Sequence, residues 1–130
     1  MSDRQTVIPV LVYRDIAAVH DHLVTVFGLE PGGVDRDGEG RAVHGEVRQG
    51  GQVIWLHRVS AEHGVDSPAS LPAVNGGVVV MVDDADAHYE RVRAAGARID
   101  YEPADMPYGL REYGARDPEG GHWSFAAPLP

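Results

Sequence analysis

Seven histidines, twenty acidic residues and no cysteine define the chemistry open to this chain of 130 residues. Without a thiol there is no cysteine nucleophile, no disulfide and no thiolate metal site. A metal would have to rest on imidazoles and carboxylates. His20 and His22 stand two apart on a helical stretch and point in different directions. His44, His63 and His88 fall on scattered elements with no acidic or histidine partner at ligand spacing. His57 and His122, near the ends of two strand-like runs, are the one pair worth weighing, and both read as hydrogen-bonded or surface imidazoles rather than ligands. Ser60, Ser67 and Ser70 lack a G-x-S-x-G context, and spacing suggests no Ser, His and Asp set. Ser124 lies mid-strand in "DPEGGHWSF" (117–125) and reads as a small pocket-lining or core residue. Glu112 is a base only if it faces inward; in the dipeptide "RE" on a strand its plainer role is an ion-paired surface carboxylate.

Binding is better supplied than catalysis. Trp55, Tyr101, Met106, Tyr108, Tyr113 and Trp123 all lie on or beside strand-like runs, and aromatic faces grip planar molecules by stacking. Strand alternation limits how many point the same way. If Ser124 faces a pocket, Trp123 faces the opposite layer and belongs to the core.

The elements that would position these residues come in two copies. Laying "VLVYRDIAAVHDHLVTVFG" (10–28) over "VVVMVDDADAHYERVRAAG" (78–96) matches Val10, Val12, Asp15, Ala17, His20, Val24 and Gly28 with identical residues. Each copy reads as a strand, an Asp suited to cap a helix, about three helical turns and a stopping Gly. Ile16, Val19, Leu23 and Phe27 form an apolar stripe in the first helix, and Ala85, Tyr89 and Val92 form one in the second. Asp84, Asp86 and Glu90 lie early and Arg91 and Arg93 late, as the helix dipole favours. Three strands are predicted after each helix, at 30–36, 41–48 and 51–58 and at 97–103, 110–116 and 121–127, separated by "DGEG", "QGG", "EPADMPYG" and "DPEGG". The class is therefore α+β, a doubled βαβββ unit, with module one at 5–59, a Pro/Gly/Ser-rich linker at 60–76 and module two at 77–127 of one domain spanning 1–130. Two curved sheets related by a pseudo-twofold would form a cup with helices outside, a usual place for a small-molecule site.

The formal charge of −9 disfavours a phosphate backbone as partner, and no basic cluster is visible along the chain. It suits a neutral or cationic ligand. All 11 basic residues are arginine, a bias that a GC-rich genome produces. The opening "MSDRQT" carries no signal-peptide pattern and the longest apolar run, "VVVMV" (78–82), is too short to cross a bilayer. A cytoplasmic protein is expected, with neither nucleic acid nor membrane as partner.

The doubled unit, the opening "IPVLVYRD" (8–15) and the closing "PYGLREYGARDPEGGHWSF" (107–125) resemble the vicinal-oxygen-chelate superfamily of glyoxalases, ring-cleaving dioxygenases and bleomycin-resistance proteins, and most of all its bleomycin-resistance branch. In metalloenzymes of that superfamily, His, Gln or Glu on the first and last strands of each module hold a divalent ion. Those slots fall here on Ile8 or Pro9, Trp55, Gly77 and Ser124, none of which offers an imidazole or carboxylate. The resemblance thus implies no metal, no cofactor and no catalytic residue, but a protein that sequesters a planar, cationic antibiotic, in drug resistance or in the self-resistance of an antibiotic-producing actinomycete; a bis-intercalating peptide is one such ligand. The alternative it carries is a metal-dependent lyase or isomerase of glyoxalase type. The implied ligand-binding set is Trp55, His57, Tyr101, Met106, Tyr108, Glu112 and Ser124, with Trp55 in an inward slot and Tyr108 where relatives stack an aromatic on the drug. Relatives form homodimers by exchanging the N-terminal strand about a proline, a position that Pro9 matches.

Overall fold

The computed structural model describes residues 5–130; the first four residues of "MSDRQT" lie outside it. The chain divides into two compact units, one ending at Ser70 and the other spanning Leu71–Pro130, so the boundary falls inside the predicted linker. That linker carries a short 3-10 turn, Pro68–Ser70, and an isolated bridge between Ser60 and Val65.

In the first unit, β1 (Val10–Tyr13) leads into α1 (Ile16–Thr25), followed by β2 (Glu30–Arg36), β3 (Ala42–Gln49) and β4 (Gln52–Arg58). The sheet order is β1-β4-β3-β2, with β1 parallel to β4 and the other pairs antiparallel. The Asp15 carboxylate caps α1 by accepting from the Ala18 N–H at 3.0 Å. The predicted stripe is the buried one, since Ile16, Val19, Leu23 and Phe27 are all shielded from solvent together with Val47, Ile54 and Leu56 of the sheet. Each such side chain contributes roughly 1.5–3 kcal/mol when fully buried.

In the second unit, β5 (Gly77–Met81), α2 (Ala85–Ala94), β6 (Arg98–Asp105), β7 (Leu110–Arg116) and β8 (His122–Pro128) form the sheet β5-β8-β7-β6 with the same mixture of pairings. The repeat is not exact in one respect. The alignment sets Asp83 under Asp15, yet Asp84 is the residue that caps α2, accepting from Ala87 N–H at 3.0 Å. Three residues join β5 to α2 where two join β1 to α1, which turns the helix by one position. The buried face of α2 is accordingly Ala85, His88 and Val92, and Tyr89 is only half-buried, edge-on to Tyr113. His88 is therefore a core residue, stacked on Phe125 with ring centroids 4.3 Å apart and hydrogen-bonded through Nδ1 to the Tyr113 hydroxyl at 2.5 Å. Gly96, with φ of 86°, closes α2 from a left-handed conformation that side chains resist, and its N–H bonds back to the Arg93 carbonyl.

β6 runs two residues beyond its expected end and includes Pro103. It is an edge strand with register shifts around Tyr101, and such a strand tolerates a proline that cannot donate to a ladder. Basic residues that are scattered in sequence also gather in space, contrary to expectation: Arg14, Arg36, Arg41 and Arg58 line one cavity of the first unit. Among the described residues no helix is long and apolar enough to cross a membrane.

Candidate functional site

Alternation along β7 and β8 divides the second sheet into two chemically different faces. Tyr113, Ala115, Trp123 and Phe125 are buried, and Tyr113 and Phe125 pack on His88 of α2. Trp123 is core, as alternation requires, and its indole N–H donates to Asp117 at 3.0 Å. Asp117 also accepts from the N–H groups of Glu119 and Gly121, so the "DPEGG" turn is built around one carboxylate.

The opposite face carries Glu112, Gly114, His122 and Ser124, with Tyr101 in register beside Gly114. There the polar side chains form one continuous hydrogen-bonded chain. Tyr108 donates to Glu112 Oε1 at 2.8 Å and Tyr101 donates to Glu112 Oε2 at 2.5 Å. The Tyr101 hydroxyl lies 2.9 Å from Ser124 Oγ, which lies 3.3 Å from His122 Nε2. His122 Nδ1 is 3.2 Å from Asp100 Oδ2, and Arg116 Nε donates to that same oxygen at 2.5 Å. Burial, and then the hydrogen bond to Glu112, push the Tyr101 hydroxyl up to about 12, so it stays a donor at neutral pH. The bond to Glu112 likewise raises Tyr108. Gly114 makes room for this arrangement, because a Cβ there would lie 2.7 Å from Tyr101 Cζ. Val79 and Met81 of β5, paired with Ser124 and Ala126, add exposed apolar surface to the same face.

Two expectations are corrected here. Glu112 is not an ion-paired surface carboxylate: it is 7% exposed, and its hydrogen-bond partners are two phenols rather than an arginine. Its neighbour Arg111 points to the α2 side and pairs with Asp86 and Asp105. Asp100, His122 and Ser124 do come together, in the order of a Ser-His-Asp relay, although their spacing did not suggest it. Ser124 is 3% exposed, its hydroxyl lying between Tyr101 and His122, and the Glu112 carboxylate is bonded to the same Tyr101 hydroxyl.

The remaining candidates lie elsewhere. Met106 and Tyr108 belong to the β6–β7 turn, where Met106 N–H bonds to the Leu110 carbonyl at 2.7 Å and Tyr108 is 60% exposed. In the first unit, Trp55 and His57 share the face of β4 opposite α1, next to Val10 and Val12 of β1. The Trp55 indole donates to Glu46 at 3.1 Å, and a bond from Arg48, with a smaller share from Trp55, holds the Glu46 carboxyl below its usual range. His57 stands opposite His44 across β3 and β4, a pairing that strand register alone created, and its Nδ1 bonds to the Arg58 carbonyl at 2.7 Å. Pro9 precedes β1, and its carbonyl accepts from Trp55 N–H of the same chain.

The residues at the superfamily's metal slots do not suit a divalent ion. Gly77 has no side chain, and a Cβ there would lie 2.7 Å from the His122 carbonyl oxygen. Ser124 is engaged by Tyr101 and His122, and Trp55 offers only an N–H donor. Among the described residues no group of three or more His, Asp or Glu side chains is placed to hold a metal.

Comparison with known proteins bears on this geometry. The model of the Glyoxalase/Bleomycin resistance protein/Dioxygenase superfamily matches residues 6–125. An uncharacterised protein of Mycobacterium bovis is 31% identical over 124 residues, covering 93% of this chain and 82% of its own length. Among solved structures, TioX from Micromonospora sp. ML1 superposes with a TM-score of 0.75 at 31% identity, over 97% of this chain and 100% of that one. TnmS3, an antibiotic binding protein from Streptomyces sp. CB03234, shares the fold with a TM-score of 0.70 at 21% identity, over 98% of each chain. With two mixed four-stranded sheets in tandem and a match along nearly its whole length, the chain belongs to the glyoxalase/bleomycin resistance protein/dioxygenase superfamily.

Proposed function

We propose that this protein binds and sequesters a planar, cationic small molecule of the antibiotic class, as a resistance or self-resistance protein of the cytoplasm, and returns it chemically unchanged. The observation that carries the proposal is Glu112. A largely buried carboxylate with no arginine or histidine bonded to it sits on an open sheet face beside the rings of Tyr101 and Tyr108. Each of its oxygens accepts one phenol and retains a lone pair for an N–H donor of the ligand. The aromatic faces and the apolar surface of Val79 and Met81 suit a flat scaffold. Met106 and Ser124 are proposed as further contacts on this face, and Trp55 and His57 as ligand contacts within the first unit. TnmS3, which binds an antibiotic, supports the class of ligand by its shared fold. The fold also hosts enzymes, and the poor fit of the metal slots favours the binder over a metal-dependent lyase or isomerase.

The test is equilibrium dialysis against a panel of planar cationic antibiotics, followed by mass spectrometry of the recovered ligand. Saturable binding with intact recovery is expected, and Glu112→Gln should weaken it. Time-dependent consumption of the ligand, restored by an added divalent ion after chelation, would establish the lyase instead. A homodimer formed by exchange of the strand after Pro9 is proposed as the assembly; a monomer mass in sedimentation equilibrium would refute it.

A further inference from the structure

The arginine-lined cavity of the first unit does not belong to the Glu112 face, which lies in the second. It encloses about 350 Å³ at the N-terminus of α1, within the range of small-molecule pockets. Its lining is Arg14, Asp15, Arg36, Arg41 and Arg58 with apolar contributions from the first turn of α1 and from Ala42. Four arginines therefore line the cavity with one aspartate, in a chain whose overall charge is strongly negative.

The cations are unequally compensated. Arg41 is spoken for, donating to Asp37 at 3.0 Å and lying 3.2 Å from Glu39. Arg14 hydrogen-bonds the Ser70 hydroxyl. Arg36 donates only to the neutral carbonyl of Gly40 at 2.9 Å, and among the described residues no carboxylate pairs with it. Arg58 has neither a hydrogen-bond nor an ion-pair partner there. Asp15 uses one oxygen to cap Ala18. Like charges gathered at the rim of a cavity repel one another, and an anion among them removes that cost. Guanidinium forks bind oxyanions through paired N–H donors, and the N-terminal end of α1 adds a favourable partial charge.

We propose that this cavity is a binding site for a compact polyanion bearing phosphate groups. The forks of Arg36 and Arg58, delivered from two different strand ends with Arg14 and Arg41 beside them, match an oxyanion with oxygens on several sides, which phosphate and pyrophosphate have and a single planar carboxylate lacks. The site would take a ligand of opposite charge to that sought by Glu112.

Thermal unfolding of the full chain at low ionic strength tests this, with sodium pyrophosphate, citrate and a sodium chloride control of matched ionic strength. Pyrophosphate at about a hundredfold excess over its Kd should raise Tm by about 5 °C or more beyond the chloride control. Calorimetric affinity for pyrophosphate should fall about tenfold on Arg36→Ala or Arg58→Ala alone, and further in the double variant. Both side chains are exposed, so the variants should melt within about 1 °C of the parent in chloride alone. A pyrophosphate effect no larger than that of chloride overturns the proposal, as does a double variant that keeps the full response. An equal response to citrate overturns the assignment to phosphate.

Discussion

Replacing Gly114 by alanine tests whether the Glu112 chain is held together by Tyr101. The methyl group would stand 2.7 Å from Tyr101 Cζ and 2.8 Å from Cδ1, well inside contact distance, so the ring must leave its place over the strand. Leaving breaks the 2.5 Å bond to Glu112 and the 2.9 Å contact with Ser124. A hydrogen bond to a charged acceptor is worth roughly 1.5–3 kcal/mol and a neutral one about 1 kcal/mol, so the substitution should cost about 2–4 kcal/mol. Urea unfolding of the parent, Gly114→Ala, Tyr101→Ala and the double variant gives the pairwise term directly. With the ring already removed, the added methyl meets little, and its cost should drop below about 1 kcal/mol. Equal costs in both backgrounds would refute the reasoning and place the constraint on Gly114 in the backbone instead.

Asp117→Ala should destabilise by about 2–4 kcal/mol in the same unfolding assay, because it strands the indole N–H of Trp123 and two turn N–H groups, and Trp123→Phe should recover part of that loss. Burial, and then the bond to Glu112, push Tyr101 up to about 12 from an ordinary value of 10.0. A raised value means that keeping the phenol neutral contributes stability that is fully present below about pH 10 and is lost as pH climbs toward about 12. Ultraviolet detection of tyrosinate, with Tyr101→Phe as the blank, should show a late step within that window. Tyr108→Ala and Trp55→Ala should each weaken ligand binding by about 1–3 kcal/mol in fluorescence or calorimetric titration, and unchanged affinity in both would remove those residues from the binding set. Glu112→Gln should lose more affinity for an amine-bearing ligand than for a neutral analogue of the same ring system.

Local features were legible from residue order because they arise within a few positions along the chain. The strands at 30–36 and 110–116 lie between the turn formers that bound them, and Asp15 caps α1 because a short acceptor directly before an apolar period has that geometry available. The core position of Trp123 followed from alternation with Ser124. A one-residue difference in the β5–α2 connection was enough to move the cap to Asp84 and to exchange His88 for Tyr89 on the buried face, since one residue turns a helix by about 100°.

The arrangement of charges and hydroxyls was decided by tertiary structure alone. Glu112 is buried because Tyr101, in register with Gly114 on the neighbouring strand, reaches diagonally across to its carboxylate, and because the β6–β7 turn folds Tyr108 onto it. Asp100, His122 and Ser124 meet only because β6, β7 and β8 lie side by side, and Arg14, Arg36, Arg41 and Arg58 meet only because four segment ends converge at the start of α1. Sequence by itself determined periodicity, capping and the doubled unit, which depend on neighbours along the chain. Strand register and close approach depend on residues far apart, and they decided which side chains share a face and therefore which ligand charges each face can hold.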